Sequence, residues 1–324
     1  MSSTTSPTTG VSATEASIDV SNVTALTPAA LAARCLEITG LAIFNITSDD
    51  IETSRVHELL AEMHEDIPQG GIDISYGDKD TQHLRYWEPT PPSPATTRDS
   101  SSNKAPLIVY VHGGSWRVGT NLDSIGIAKV THLTNKDYAF TSVNSTLIPT
   151  VTVEEQVQEI ANAVAVLIQK ANAGSLAFDA TRIVLMGHSS GAHVVSLLGT
   201  DTSYLQDANV PISAIRGVVA LDGSNYNALA EITDSPGPIA ENLIFGLGRD
   251  PGRLRAHVTD RSGDIRQAVE FVAALDAAGT AAELRVFDGE WFEGHVRILL
   301  ALGDVVYPAT GVLDRWLERY APVG

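Results

Sequence analysis

Residues 182–195 read RIVLMGHSSGAHVV, an apolar run that passes through Gly187-His188-Ser189-Ser190-Gly191 into a stretch of helical character. The pattern G-x-S-x-G is short, and its weight comes from context: a buried strand before it and a helix after it. A serine on a tight strand-to-helix turn needs neighbours without bulk two positions to either side, so that the backbone bends while the hydroxyl stays exposed. Gly187 and Gly191 supply this. A helix opening at Ser190 also points its positive dipole end at the serine.

Working outward, apolar runs of strand character alternate with helical segments. The strand runs are LIVYV (107–111), YAFTSV (138–143), RIVLM (182–186), GVVAL (217–221) and ELRVF (283–287). Helical patterns fall at Val153–Ala173, Gly191–Leu198, Ile265–Ala278 and Gly311–Tyr320, with two more at 28–38 and 54–63 ahead of the first strands. This order predicts an α/β fold, a mostly parallel central sheet with helices on both faces. Residues 72–76 and 83–87 show the partial alternation of an antiparallel edge. Residues 1–27 are rich in Ser and Thr and read as a disordered tail, leaving 28–324 as one domain with a flexible loop near 91–104.

Composition sets the outer limits. The chain has 324 residues, 44% of them hydrophobic, enough for a large buried core. With 21 Lys and Arg against 39 Asp and Glu, its formal charge of −18 argues against nucleic acid and anionic membranes as partners. Cys35 is the single cysteine, so neither an intrachain disulfide nor a thiolate zinc site follows from the sequence. No run of about 18 apolar residues suggests a membrane span, and residues 1–20 lack secretory character. The expectation is a cytoplasmic protein, monomeric or a homodimer, without a metal or organic cofactor.

A second signal lies at 107–119, LIVYVHGGSWRVG, where a strand ends in His112-Gly113-Gly114-Ser115-Trp116. Consecutive glycines after a strand leave backbone N–H groups able to face a developing oxyanion. The donors read from this pattern are Gly113 or Gly114 together with Ser190, and His112 orients the loop. A serine hydroxyl also needs an imidazole base. Of the nine histidines, His295 follows the last strand run and the polar turn DGEWFEG, where a base could face Ser189. His112, His188, Ser115, Trp116, Trp291 and Phe292 fall in or beside these groups and are candidates for the pocket wall, with ordinary packing as the competing reading.

The HGGSW turn, the GHSSGAH elbow and a late histidine resemble the α/β-hydrolase fold, and within it the kynurenine formamidase (arylformamidase) and carboxylesterase group. The resemblance covers about residues 70–320. It implies Ser189 as nucleophile, His295 as base, and an acid from the loop after the penultimate strand. In HVTDRSGDIRQAVEFVAAL (257–275), Asp260 matches the family spacing and Asp264 is the alternative. The apolar strand that precedes this loop in the family is reduced here to RLRAHVT (253–259), so a shortened or missing penultimate strand is expected. Residues 143–147 also depart from the family's Tyr-Arg pair. The implied function is serine hydrolysis of a small-molecule ester or aryl formamide. The alternative from another class is a weakly active or inactive hydrolase-like protein that binds a small molecule.

Overall fold

The computed structural model describes residues 67–90, 104–114, 116–117, 119–122, 125–223, 226, 265–287 and 291–323, with backbone alone at 265, 266 and 291–293. The helices expected at 28–38 and 54–63, the tail at 1–27, and the loop at 91–103 lie outside these residues, as do Ser115 and the 253–264 segment.

Six strands form one sheet in the order β1-β2-β4-β3-β5-β6. They are β1 (Ile72–Ser75), β2 (His83–Trp87), β3 (Ala105–Val111), β4 (Ala139–Val143), β5 (Phe178–His188) and β6 (Ile215–Leu221). The first two are antiparallel to their neighbours, and β4, β3, β5 and β6 run parallel. The expected antiparallel edge and parallel centre are both present.

The helices are α1 (Ile127–Asn135), α2 (Val153–Asn172), α3 (Ser190–Thr200), α4 (Ser203–Asp207), α5 (Ile265–Ala277), α6 (Trp291–Ala301) and α7 (Pro308–Tyr320). Alternation along the strands decides which of them each residue meets. Leu107, Val109, Ile183 and Leu185 pack with the side chains of α2 and α3. Ile108, Tyr110, Val184 and Met186 face the other way, toward α1, α6 and α7. Strands buried on both faces explain why these runs read as continuously apolar; each fully buried aliphatic side chain contributes roughly 1.5–3 kcal/mol. At the start of α2, Thr152 accepts from the Glu155 amide at 3.2 Å while the Glu155 carboxylate accepts from the Thr152 amide at 2.7 Å. Such a capping box is worth about 1 kcal/mol.

Two expectations need correction. The pattern at 283–287 predicts a strand, yet within it only Val286 forms an isolated bridge. The alternating pattern survives, with 281, 283 and 285 exposed and 282, 284 and 286 half-buried. Alternation reports which side is covered, whereas a strand also needs a ladder partner. Its expected neighbour at 253–259 lies outside the described residues. The turn DGEWFEG is also shorter than expected: α6 begins at Trp291, so His295 sits on a helix.

Lys129 is fully buried between α1 and α6. Its ammonium donates to the carbonyls of Ile125 at 2.7 Å and Leu299 at 3.1 Å, and lies 4.5 Å from the centre of the Tyr110 ring. Burial pushes its pKa down to about 7. The unfolded chain therefore holds the Lys129 proton up to about pH 10.5, whereas the folded chain releases it near 7. Between those values the unfolded state binds more protons, so this group makes stability rise with pH. In urea titrations, wild type should gain on Lys129→Met from pH 7 to pH 10; a difference constant with pH would contradict the assignment.

Candidate active site

The site is assembled at the carboxyl ends of the parallel strands, where open α/β sheets place ligands. β5 ends at His188, and Ser189 follows with φ 55° and ψ −122° before α3 begins. A non-glycine residue at positive φ costs roughly 1–3 kcal/mol, so the surroundings must hold it there. They do so by close backbone approach. A Cβ on Gly187 would lie 2.2 Å from the Gly191 carbonyl oxygen, and one on Gly191 would lie 2.2 Å from that of Val111. The Ser189 amide donates to the Leu221 carbonyl at 3.0 Å, continuing the β5–β6 ladder one residue past its last pair. Its carbonyl accepts from Ala192 and His193 at 3.0 and 3.2 Å.

The loop after β3 folds against this elbow. A Cβ on Gly113 would stand 3.0 Å from the Ser189 Cβ, so this strand-exit loop and the Ser189 turn are in direct apposition. His112 donates from Nδ1 to the Gly113 carbonyl at 2.6 Å, within the loop itself. Trp116, buried and at φ 61°, donates its amide to Ser190 Oγ at 3.3 Å and sets its ring edge-on to His193 at 5.4 Å. From α2, Gln156 Nε2 donates to the carbonyls of Trp116 at 2.9 Å and Thr146 at 2.8 Å. One turn on, Glu159 accepts from the Thr146 amide at 2.7 Å. One helix thus fixes both the HGGSW loop and the segment after β4. As first residue of α3, Ser190 has an N–H with no acceptor inside its own helix. A cavity of about 10 Å³ remains beside the loop, lined by His112, Gly113, Trp116, Ser145, Gln156 and Ser190, with room for about one water.

His295 is brought to the elbow from the far end of the chain. Its ring lies 4.4 Å from that of His188, and its carbonyl accepts from His188 Nε2 at 2.8 Å. Burial, reinforced by the charge of His295, holds His188 well below the ordinary histidine pKa and therefore neutral. His295 Nδ1 donates to Oδ2 of Asp222 at 2.5 Å. Asp222, the first residue after β6, stands at φ 43°, a left-handed conformation that aspartate tolerates better than most residues. Although part of its side chain meets solvent, enough protein surrounds its carboxyl to desolvate it and oppose ionisation. The hydrogen bond and charge of His295 outweigh this, so its pKa is lowered.

The expected residues are therefore placed as follows. Ser189, Ser190, His188, His112, Gly113, Gly114 and Trp116 gather at one end of the sheet with His295. Trp291 and Phe292 open α6, with their side chains outside the described residues. Ser115, Asp260 and Asp264 also lie outside them. Asp222 is the acid seen at His295, and the family-like spacing of Asp260 outweighs it in the sequence. Its signal is nonetheless legible: a carboxylate directly after the apolar run GVVAL, at the carboxyl end of a strand.

Comparison with known proteins agrees with this architecture. The family described as BD-FAE matches residues 96–224. The kynurenine formamidase of Danio rerio is 24% identical over 293 residues, spanning 85% of this chain and 92% of the relative. Among solved structures, a bacterial heroin esterase superposes with a TM-score of 0.58 at 17% identity, covering 84% of this chain and 90% of that one. The Est2 esterase of Thermogutta terrifontis gives 0.57 at 18% identity, covering 79% and 94%. The chain has the α/β-hydrolase fold and resembles the arylformamidase and esterase group within it.

Proposed function

We propose that this protein is a serine hydrolase that cleaves a small-molecule carboxylic ester or aryl formamide through an acyl-enzyme. The observation that carries the reading is the His295 imidazole held against the Ser189 elbow with a carboxylate on Nδ1. With Nδ1–H committed to that acceptor, Nε2 is the lone-pair nitrogen in the neutral ring and can take the serine proton. The strained Ser189 and the carboxylate-bound imidazole at the same end of the sheet favour this reading over a hydrolase-like binding protein.

In this mechanism Ser189 Oγ attacks the substrate carbonyl carbon as its proton passes to His295 Nε2. The negative charge that develops on the carbonyl oxygen is met by the N–H groups of Gly113 or Gly114 and of Ser190, at the positive end of α3. Collapse breaks the bond to the leaving alcohol or amine, which takes the proton from His295. Water then attacks the acyl carbon, gives its proton to the same imidazole, releases the carboxylic acid and restores Ser189. Each step uses groups of the chain itself, substrate and water.

Trp116, buried and pinned beside the loop after β3, favours a short acyl group. In a series of p-nitrophenyl esters, kcat/KM for formate and acetate should exceed that for hexanoate by about 10-fold or more. Equal turnover across the series would remove this specificity.

The serine mechanism is tested by a fluorophosphonate probe followed by peptide mapping, beside Ser189→Ala and His295→Ala. Stoichiometric labelling at Ser189, abolished by Ser189→Ala and slowed by about 10³-fold or more in His295→Ala, is expected. A folded sample that takes no label contradicts the serine hydrolase.

A further inference from the structure

We infer that the carboxylate positioning the catalytic histidine is Asp222, supplied by the strand next to the nucleophile's own, and that neither Asp260 nor Asp264 serves this role. The inference rests on the serine-hydrolase reading and changes which segment of the chain the site depends on. Nδ1 of His295 carries one hydrogen, and that hydrogen is taken by Asp222 Oδ2 at 2.5 Å. A second carboxylate could not share it without a competing, weaker geometry.

Register explains how Asp222 reaches the base. β5 and β6 are parallel with His188 opposite Leu221, and the Ser189 amide donates to the Leu221 carbonyl at 3.0 Å. Ser189 and Asp222 therefore leave the sheet at the same level on adjacent strands. The chain turns at Asp222 with φ 43°, and four residues later the Tyr226 amide donates to the buried Gln267 side chain of α5 at 2.7 Å. The Tyr226 ring stacks on Phe271 with centroids 4.8 Å apart. The acid thus lies between two fixed points, the end of β6 and the face of α5. His295 is held independently, through the His188 bond to its carbonyl and, one turn along α6, through Lys129 on the Leu299 carbonyl. Among the described residues, these contacts tie Ser189, His295 and Asp222 together. A chain whose penultimate strand is reduced in sequence can keep a working site on these terms.

Asp222 acts through His295, so its test needs a readout that a loss of packing would not give. Hydrolysis of p-nitrophenyl acetate by the full chain is compared for wild type, Asp222→Asn, Asp222→Glu, Asp260→Asn and Asp264→Asn. Asp222→Asn should lower kcat by about 10³–10⁴-fold with KM within a few-fold. Asp222→Glu should recover at least about 10-fold of the loss, whereas the other two variants keep the wild-type kcat and KM. The inference is overturned if Asp222→Asn keeps its activity, or if Asp260→Asn or Asp264→Asn shows the loss of kcat at unchanged KM and the altered Nδ1 signal instead.

Nitrogen-15 spectra of labelled histidine supply the second measurement. They should show His295 protonated and hydrogen-bonded at Nδ1 in wild type and altered in Asp222→Asn. A wild type that neither hydrolyses esters nor takes the fluorophosphonate, yet shows this Nδ1 signature, would overturn the hydrolase reading and not the pairing. An active wild type lacking the signature would overturn the pairing and not the hydrolase.

Discussion

The structure depends on one strained residue. Ser189 stands at φ 55°, and it can do so because the backbone at Gly187 and Gly191 approaches to distances that a Cβ would not permit. A methyl on either glycine would press on a carbonyl oxygen of the elbow or of β3, at 2.2 Å in both cases. The strain is met by a parallel ladder on one side, a helix on the other and the hydrogen bond from the Ser189 amide to the Leu221 carbonyl. Rigid elements therefore hold the serine, and local preference at Ser189 opposes them.

From that point the remaining parts are arranged by long-range ties. α2 reaches out with Gln156 and Glu159, and these side chains fasten the loop after β3 and the segment after β4. α6 is fastened twice, by His188 at His295 and by Lys129 at Leu299. Buried polar groups of this kind add specificity of position at the cost of desolvation, most clearly at Lys129, whose charge is unfavourable at low pH. Alignment in a hydrolytic site is sensitive to errors of about 1 Å, which gives such ties a function beyond stability.

Much of this was legible in the sequence, for physical reasons that differ from element to element. The parallel centre announced itself because LIVYV and RIVLM are covered on both faces and so remain apolar throughout. The elbow was legible because its geometry excludes side chains at two fixed offsets. Helix α1 was missed: its buried face includes Lys129 and Thr134, which do not read as a core stripe. The strand at 283–287 was overread, since alternation cannot report a missing neighbour. Asp222 was missed because a contact between residues 73 positions apart leaves no spacing rule in the chain. Family spacing pointed to a different acid, and only the register of β5 on β6 shows that Asp222 ends beside Ser189.

The central claim is that these pieces form a single reacting constellation around Ser189. A crystal structure of the chain carrying a phosphonate on Ser189 Oγ would test it most directly, since the adduct imitates the tetrahedral intermediate. The account predicts a phosphonyl oxygen within about 3 Å of the amides of Ser190 and of Gly113 or Gly114, with His295 still bonded to Asp222. An oxygen turned to solvent, or His295 paired with a different carboxylate, would contradict it.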